Sequence, residues 1–211
     1  MAPRIELHYK KFSLTIFICI ALAAIILWLS YFIGKNEFFL LLNNNYGRAA
    51  DYFFRYFTYM GDGLLWIAWI IVILKRKRKQ LLPLIISSFI LTTIFTQIFK
   101  YFILPNEARP SAAFENTLSI HFVKGVEVHS INSFPSGHTA TAFTFVLLIA
   151  LTIKRNDFLL LAFIVALLVA YSRVYLAQHF PLDIGGGIVV AIFSVSLSVV
   201  VQKWFERRAP K

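Results

Sequence analysis

Apolar residues in this chain come in long unbroken runs, not in the alternating or amphipathic patterns of a soluble fold. Runs near Phe12–Ile33, Thr58–Leu74, Leu81–Phe102, Ser136–Ile153, Phe158–Leu176 and Leu182–Val201 are each close to the roughly 20 residues that carry a helix across about 30 Å of hydrocarbon. A helix pairs its backbone groups within its own segment, as lipid demands. The pattern predicts an all-α fold, a bundle of six transmembrane helices. The second run is the weakest, because Gly61, Asp62 and Gly63 interrupt its start. Connections are short except for Gly34–Phe57 and Ile103–Pro135. In the first of these, Ala50, Phe53, Phe54 and Phe57 recur at helical spacing around Asp51 and Arg55. That predicts an additional amphipathic helix, lying in the outer interface or packed over the bundle mouth. Tyr46, Tyr52, Tyr56 and Tyr59 suit the headgroup layer.

Composition strengthens this picture. Of 211 residues, 59% are hydrophobic and 15% charged, against about 45–50% apolar in soluble domains. The length allows one domain, residues 1–211. A net charge of +11 would point to nucleic acid in a soluble protein. Here the basic residues flank the apolar runs, so they read as topology signals and no nucleic-acid partner is expected. With both termini inside, 14 of the 21 Lys and Arg fall on the cytoplasmic side, Lys75 to Lys79 among them. Arg4, Lys10 and Lys11 precede the first run, and Ala21-Leu22-Ala23 resembles a signal cleavage site. The apolar run continues through Leu29, too long for a signal core, and reads as an uncleaved anchor. Cys19 has no partner for a disulfide and no Cys-His metal spacing, and reads as packing.

This topology brings three polar clusters to one side, the outer one. Pro135-Ser136-Gly137-His138 opens the fourth run. Ser136 is a preferred N-cap, and a first helical turn offers free N–H groups and partial positive charge to a phosphate. Gly137 lets an anion approach the backbone, and His138 is near enough to exchange a proton. Taken alone, the stretch could equally be a capped helix with an incidental histidine. Between the fifth and sixth runs, Arg173 offers a planar fork of donors. His179 and Asp183, four apart, can meet there; the carboxylate would fix one imidazole tautomer and leave the other nitrogen free to attack. The plainer alternative is a salt-bridged patch near the membrane. Gly185, Gly186 and Gly187 follow, read as permitting close helix packing beneath the site. On the third run, Thr93, Gln97 and Lys100, with Thr92 and Thr96, form a polar stripe expected to face the bundle interior. Lys100 could instead snorkel to headgroups. Arg109 could reach back to the same anion. His121 and His129, among Glu107, Glu115, Lys124 and Glu127, could contact a headgroup but read more plainly as solvated loop residues.

Together the clusters resemble the type-2 phosphatidic acid phosphatase superfamily, whose pattern is Lys-x6-Arg-Pro, then Pro-Ser-Gly-His, then Ser-Arg-x5-His-x3-Asp. The second motif is intact at Pro135–His138 and the third at Ser172-Arg173, His179 and Asp183. The first departs: eight residues separate Lys100 from Arg109-Pro110. Some lipid A phosphatases of the superfamily have a longer gap still. Within the family the compact chain looks like the bacterial enzymes that act on phosphatidylglycerophosphate or undecaprenyl pyrophosphate. The resemblance implies a metal-independent lipid phosphatase without cofactor. His179 would be the nucleophile oriented by Asp183, and His138 the proton donor. Lys100, Arg109, Ser136, Gly137 and Arg173 would bind the phosphate. The partner would be a lipid phosphate substrate within the cell (inner) membrane, met on the extracytoplasmic side. A phosphotransferase using the same site, and a non-catalytic transporter or lipid-binding protein, are the rivals.

Overall fold

A computed structural model describes residues 6–114 and 119–208. Arg4 and Glu115 lie outside the described residues, as does Lys211, one of the 14 basic residues read as cytoplasmic. All regular secondary structure among the described residues is helical, without strands. Helix α1 covers Tyr9–Phe32, α2 Lys35–Leu42, α3 Arg48–Phe57, α4 Leu64–Lys75, α5 Leu82–Ile98, α6 Pro110–Ala113, α7 Gly137–Thr152, α8 Asn156–Tyr175 and α9 Pro181–Arg208. Four helical runs are long and apolar enough to cross a bilayer: α1, the Lys79–Ile103 run that contains α5, α8 and α9. The bent pair Arg48–Gly61 and Leu64–Lys75, inclined at 55°, makes a fifth if counted as one.

The outward faces of these helices stay apolar. Phe17, Tyr31 and Phe32 on α1, Leu64 on α4, Phe102 after α5 and Phe193 on α9 are all exposed. So much bare aromatic and aliphatic surface has lipid as its natural solvent. This is a multi-pass membrane protein.

Helix α7 is the inner member. It packs on α8, α9, α5 and α1, and both its faces are buried from Ala142 to Leu148. A helix apolar all round belongs in such a position. Because lipid tails do not drive apolar helices together, small residues and polar contacts must do so. Thr92 on α5 meets Thr144 on α7 at 3.1 Å. Gln202 on α9 accepts from the Leu84 N–H (3.0 Å) and donates to the Gln80 carbonyl (2.9 Å), satisfying groups at the start of α5. At the end of α7 the His8 N–H donates to Leu151 O at 2.8 Å. Lys11 donates to the carbonyls of Ile153 and Lys154, placing a cation at a helix C-terminus. Cys19 is fully buried, as packing.

Two expectations need correction. The second run was expected to be helical from Thr58, but α4 begins at Leu64, behind a 3₁₀ turn at Thr58–Gly61. Asp62 causes the break locally: its Oδ1 accepts from the Gly63 N–H at 2.6 Å, an alternative to helix bonding. A Cβ on Gly61 would lie 2.6 Å from Val169 and 3.0 Å from His138, so the turn is pressed onto α7 and α8. The polar stripe of α5 also divides. Ser88, Thr92 and Thr96 are the buried members, whereas Thr93 and Gln97 are exposed one position round the helix.

Helix α3 forms where the aromatic spacing placed it. Phe54 packs against Tyr171 (5.3 Å between centroids) and Tyr175 (4.6 Å) of α8. The contacts are those of a helix packed on the bundle.

Candidate active site

The site is built where the starts of α7 and α9 meet. Ser136 is the N-cap of α7: its Oγ accepts from the Thr139 N–H at 3.4 Å and the Thr139 hydroxyl at 2.9 Å. Its own N–H donates to the Asp183 carbonyl at 3.0 Å. That bond requires α9 to come very close. A Cβ on Gly187 would lie 2.7 Å from the Ser136 carbonyl, and one on Gly186 would lie 2.4 Å from the Phe134 ring. The glycines therefore do what close packing beneath the site demanded.

His179 follows α8. The Gln178 and His179 N–H groups both donate to the Arg173 carbonyl, at 2.9 and 3.1 Å, so the chain folds back over the helix end. His179 Nδ1 lies 3.2 Å from Asp183 Oδ2. The same carboxylate oxygen accepts from the Ser133 hydroxyl at 2.5 Å and the Phe180 N–H at 2.9 Å. Asp183 is thus held from three directions and fixes the imidazole in turn. Burial, together with the cations of Arg109, Arg173 and Lys100, holds His179 well below the ordinary imidazole value. That direction favours the neutral ring.

The cations gather round this pair. Arg173 is buried, with Nη1 donating to Thr58 Oγ1 at 2.7 Å and Nε buried without a protein acceptor. Arg109 is also buried, held by the carbonyls of Ile131 (2.9 Å) and Gln178 (3.0 Å). Lys100 projects from a π-helical turn, Phe99–Ile103, that continues α5. Its ammonium feels the charges of Arg109, Asp183 and Arg173, so the eight-residue spacing does not separate it from them. His138, half-buried, lies in the fields of Arg173, His179, Lys100 and Arg109. All eight residues singled out for this site occupy one end of the bundle. Three cations against one central carboxylate make a pocket suited to an anion. Beside it, His138 borders a cavity of about 160 Å³, together with Asp62 and the α5 residues Thr93, Thr96 and Gln97. Among the described residues, no three His, Cys, Asp or Glu side chains gather as a metal site.

Sequence reasoning missed several partners. Thr58 and Ser133 touch the site only through contacts distant in sequence, 115 and 50 residues away. Gln178, beside His179, was visible but carried no pattern. Lys35 pairs with Glu107 at 2.5 Å and sits 4.4 Å over the Phe180 ring, next to His179. His121 also needs correction: it is not a solvated loop residue. Its Nε2 lies 2.9 Å from Asp51 Oδ1, which also accepts from the Tyr175 hydroxyl at 2.6 Å. His129 is exposed.

A cage of cations around a His-Asp pair, on a helical membrane scaffold, defines a phosphate-handling membrane protein. The chain belongs to the PAP2 superfamily, whose profile matches residues 80–207. It is 31% identical over 173 residues to an undecaprenyl-diphosphatase of Sulfolobus acidocaldarius, spanning 81% of this chain and 80% of that protein. The crystal structure of Aquifex aeolicus LpxE is similar in fold, with a TM-score of 0.67 and 30% identity, covering 78% of this chain and 93% of that one. The chain is accordingly a membrane lipid phosphatase of the PAP2 superfamily.

Proposed function

We propose that this protein hydrolyses a lipid (pyro)phosphate at the extracytoplasmic face of the cell membrane through a phosphohistidine. The observation that carries the reading is the buried His179–Asp183 pair, 3.2 Å apart, facing the charges of Lys100, Arg109 and Arg173. Asp183 keeps the proton on Nδ1 of His179, leaving Nε2 as the attacking lone pair. Nε2 bonds to phosphorus as the bond from phosphorus to the leaving oxygen breaks, and His138 gives that oxygen its proton. Water then attacks phosphorus and loses a proton to His138; the P–N bond breaks and inorganic phosphate leaves. Lys100, Arg109, Arg173 and the first turn of α7 at Ser136 and Gly137 hold the equatorial oxygens, where charge collects. The positive charge of the site comes from side chains, so no metal ion is required.

The whole chain, 1–211, acts as one phosphatase domain. Helix α4 makes the fifth crossing and α7, with 16 residues and about 24 Å long, the sixth, while α3 lies at the outer interface, packed on α8. With both termini cytoplasmic, the site opens outward. The substrates best supported are undecaprenyl diphosphate, which the Sulfolobus relative's name implies, and phosphatidylglycerophosphate. Lipid A is a second reading, favoured by the long Lys100–Arg109 spacing.

Phosphate release from a panel of these lipids by purified protein, with EDTA present, is the test. Release that resists EDTA, stops with vanadate and is absent from His179→Ala supports the mechanism. EDTA sensitivity, or phosphate passed to an acceptor lipid in place of water, contradicts it.

A further inference from the structure

The cavity beside the site is one-sided. Among the described residues, its wall includes His138, the proposed proton donor, and Gly137 from the phosphate-binding set, but not His179, Asp183, Lys100, Arg109 or Arg173. In-line displacement places the attacking nitrogen and the leaving oxygen on opposite sides of phosphorus. If His179 attacks and His138 protonates, the rest of the substrate extends past His138. That is where the cavity lies.

Its chemistry differs from that of the phosphate pocket. Thr93, Thr96, Gln97 and Thr141 contribute hydroxyls and an amide, which both donate and accept. Asp62 contributes a carboxylate, an acceptor only when ionised. Among the described lining residues there is no Lys or Arg. The Asp62 backbone is fixed, because Gly61 beside it is wedged against Val169 and His138. A second phosphate entering this space would meet a carboxylate with no cation lining the wall to offset it. A glycerol or sugar would instead donate hydroxyls to it.

We infer that Asp62 and Gln97 select the leaving group: they favour phosphate monoesters of hydroxyl-bearing glycerol or sugar lipids and disfavour lipid diphosphates. Specificity of this kind arises from repulsion of the wrong partner as much as attraction of the right one. The inference rests on the phosphohistidine reading and narrows its substrate class, setting phosphatidylglycerophosphate above the undecaprenyl diphosphate that the Sulfolobus relative's name implies. Asp62 has a competing role, since its charge also reaches Arg173. As a counter-ion alone it would tune the phosphate pocket and leave the choice of leaving group untouched.

The test compares wild type, Asp62→Asn and Gln97→Leu in one detergent, with phosphatidylglycerophosphate and undecaprenyl diphosphate as substrates. Inorganic vanadate, which carries no leaving group, probes the phosphate pocket. Wild type is expected to favour the monoester in kcat/KM. Asp62→Asn should raise kcat/KM on the diphosphate about tenfold relative to the monoester, as removal of one nearby like charge would, with the vanadate inhibition constant unchanged. Gln97→Leu should lower turnover of the monoester and leave the diphosphate unmoved. A wild-type preference for the diphosphate overturns the inference. So does an Asp62→Asn variant that weakens both substrates and vanadate alike, which would make Asp62 a counter-ion. Phosphate release surviving His179→Ala would instead sink the mechanism beneath it.

Discussion

Two Asp–His pairs in this molecule sit in opposite surroundings. His179–Asp183 joins the α8–α9 turn to α9 at 3.2 Å, with both side chains almost sealed, 3% and 0% exposed. His121–Asp51 joins a loop to α3 at 2.9 Å, with 11% and 26% exposure. The first pair is surrounded by Lys100, Arg109 and Arg173. The second is surrounded by aromatics: Tyr175 donates to Asp51, and its ring meets His121 edge-on at 5.0 Å. Asn43 completes that second knot by accepting from the His121 N–H at 2.7 Å and donating to the Val174 and Tyr175 carbonyls. An imidazole beside a carboxylate is therefore not a catalytic unit by itself. Nearby cations that can hold an anion make the difference, and His121–Asp51 serves as a clasp tying loop, α3 and α8 together.

Exchanging the two histidines for alanine should separate these roles most sharply. His179→Ala removes the proposed attacking group and should lower kcat by about 10⁴-fold or more. His121→Ala should leave kcat within about tenfold and lower stability by about 1 kcal/mol, the scale of one lost hydrogen bond. Lipid phosphate release and detergent-phase thermal melts measure both. Equal losses of activity would erase the contrast.

The cations come next. Arg173→Lys keeps the charge but loses the planar fork that reaches Thr58 and still presents Nε. A loss of about 10²- to 10³-fold in kcat is expected. A variant within twofold of wild type would mean that charge alone suffices.

A smaller effect is expected from Ser133→Ala, which takes one of three donors from Asp183. About tenfold in kcat with KM little changed is expected, since the loss acts through the orientation of His179. Partial recovery in Ser133→Thr would distinguish positioning from general destabilisation.

The smallest effect concerns pH. Burial and the surrounding cations hold folded His179 below its ordinary value of about 6.5. Between those two values the unfolded chain binds a proton that the folded one refuses. The stabilising contribution is therefore whole above about pH 6.5 and declines as pH falls below it. Melting temperature should drop from pH 7 to pH 5, and His179→Gln should flatten part of that slope. An identical slope in both proteins would contradict a buried neutral imidazole.

Local signals carried most of what was readable beforehand. Unbroken apolar runs announced α1, α5, α8 and α9, and Ser136 before an apolar stretch announced the cap of α7. Pro135–His138 and Arg173–Asp183 were legible because each keeps its chemistry within a few residues. Features that depend on distant contact were not legible. Thr58 under Arg173 and Ser133 on Asp183 exist only once the chain has folded. The π turn that carries Lys100 lies inside a run whose composition still reads as continuous helix. His121 looked like any loop histidine, because Asp51 lies 70 residues earlier.

The central claim is that His179 carries the phosphoryl group in a site it shares with His138. Acid-labile, base-stable label on the protein after rapid quenching with a ³²P-labelled lipid phosphate tests it most directly. The account expects label on the peptide holding His179, none in His179→Ala, and retained or increased label in His138→Ala given a substrate with a good leaving group. Label on any other residue, or turnover with no labelled intermediate under single-turnover conditions, would contradict it.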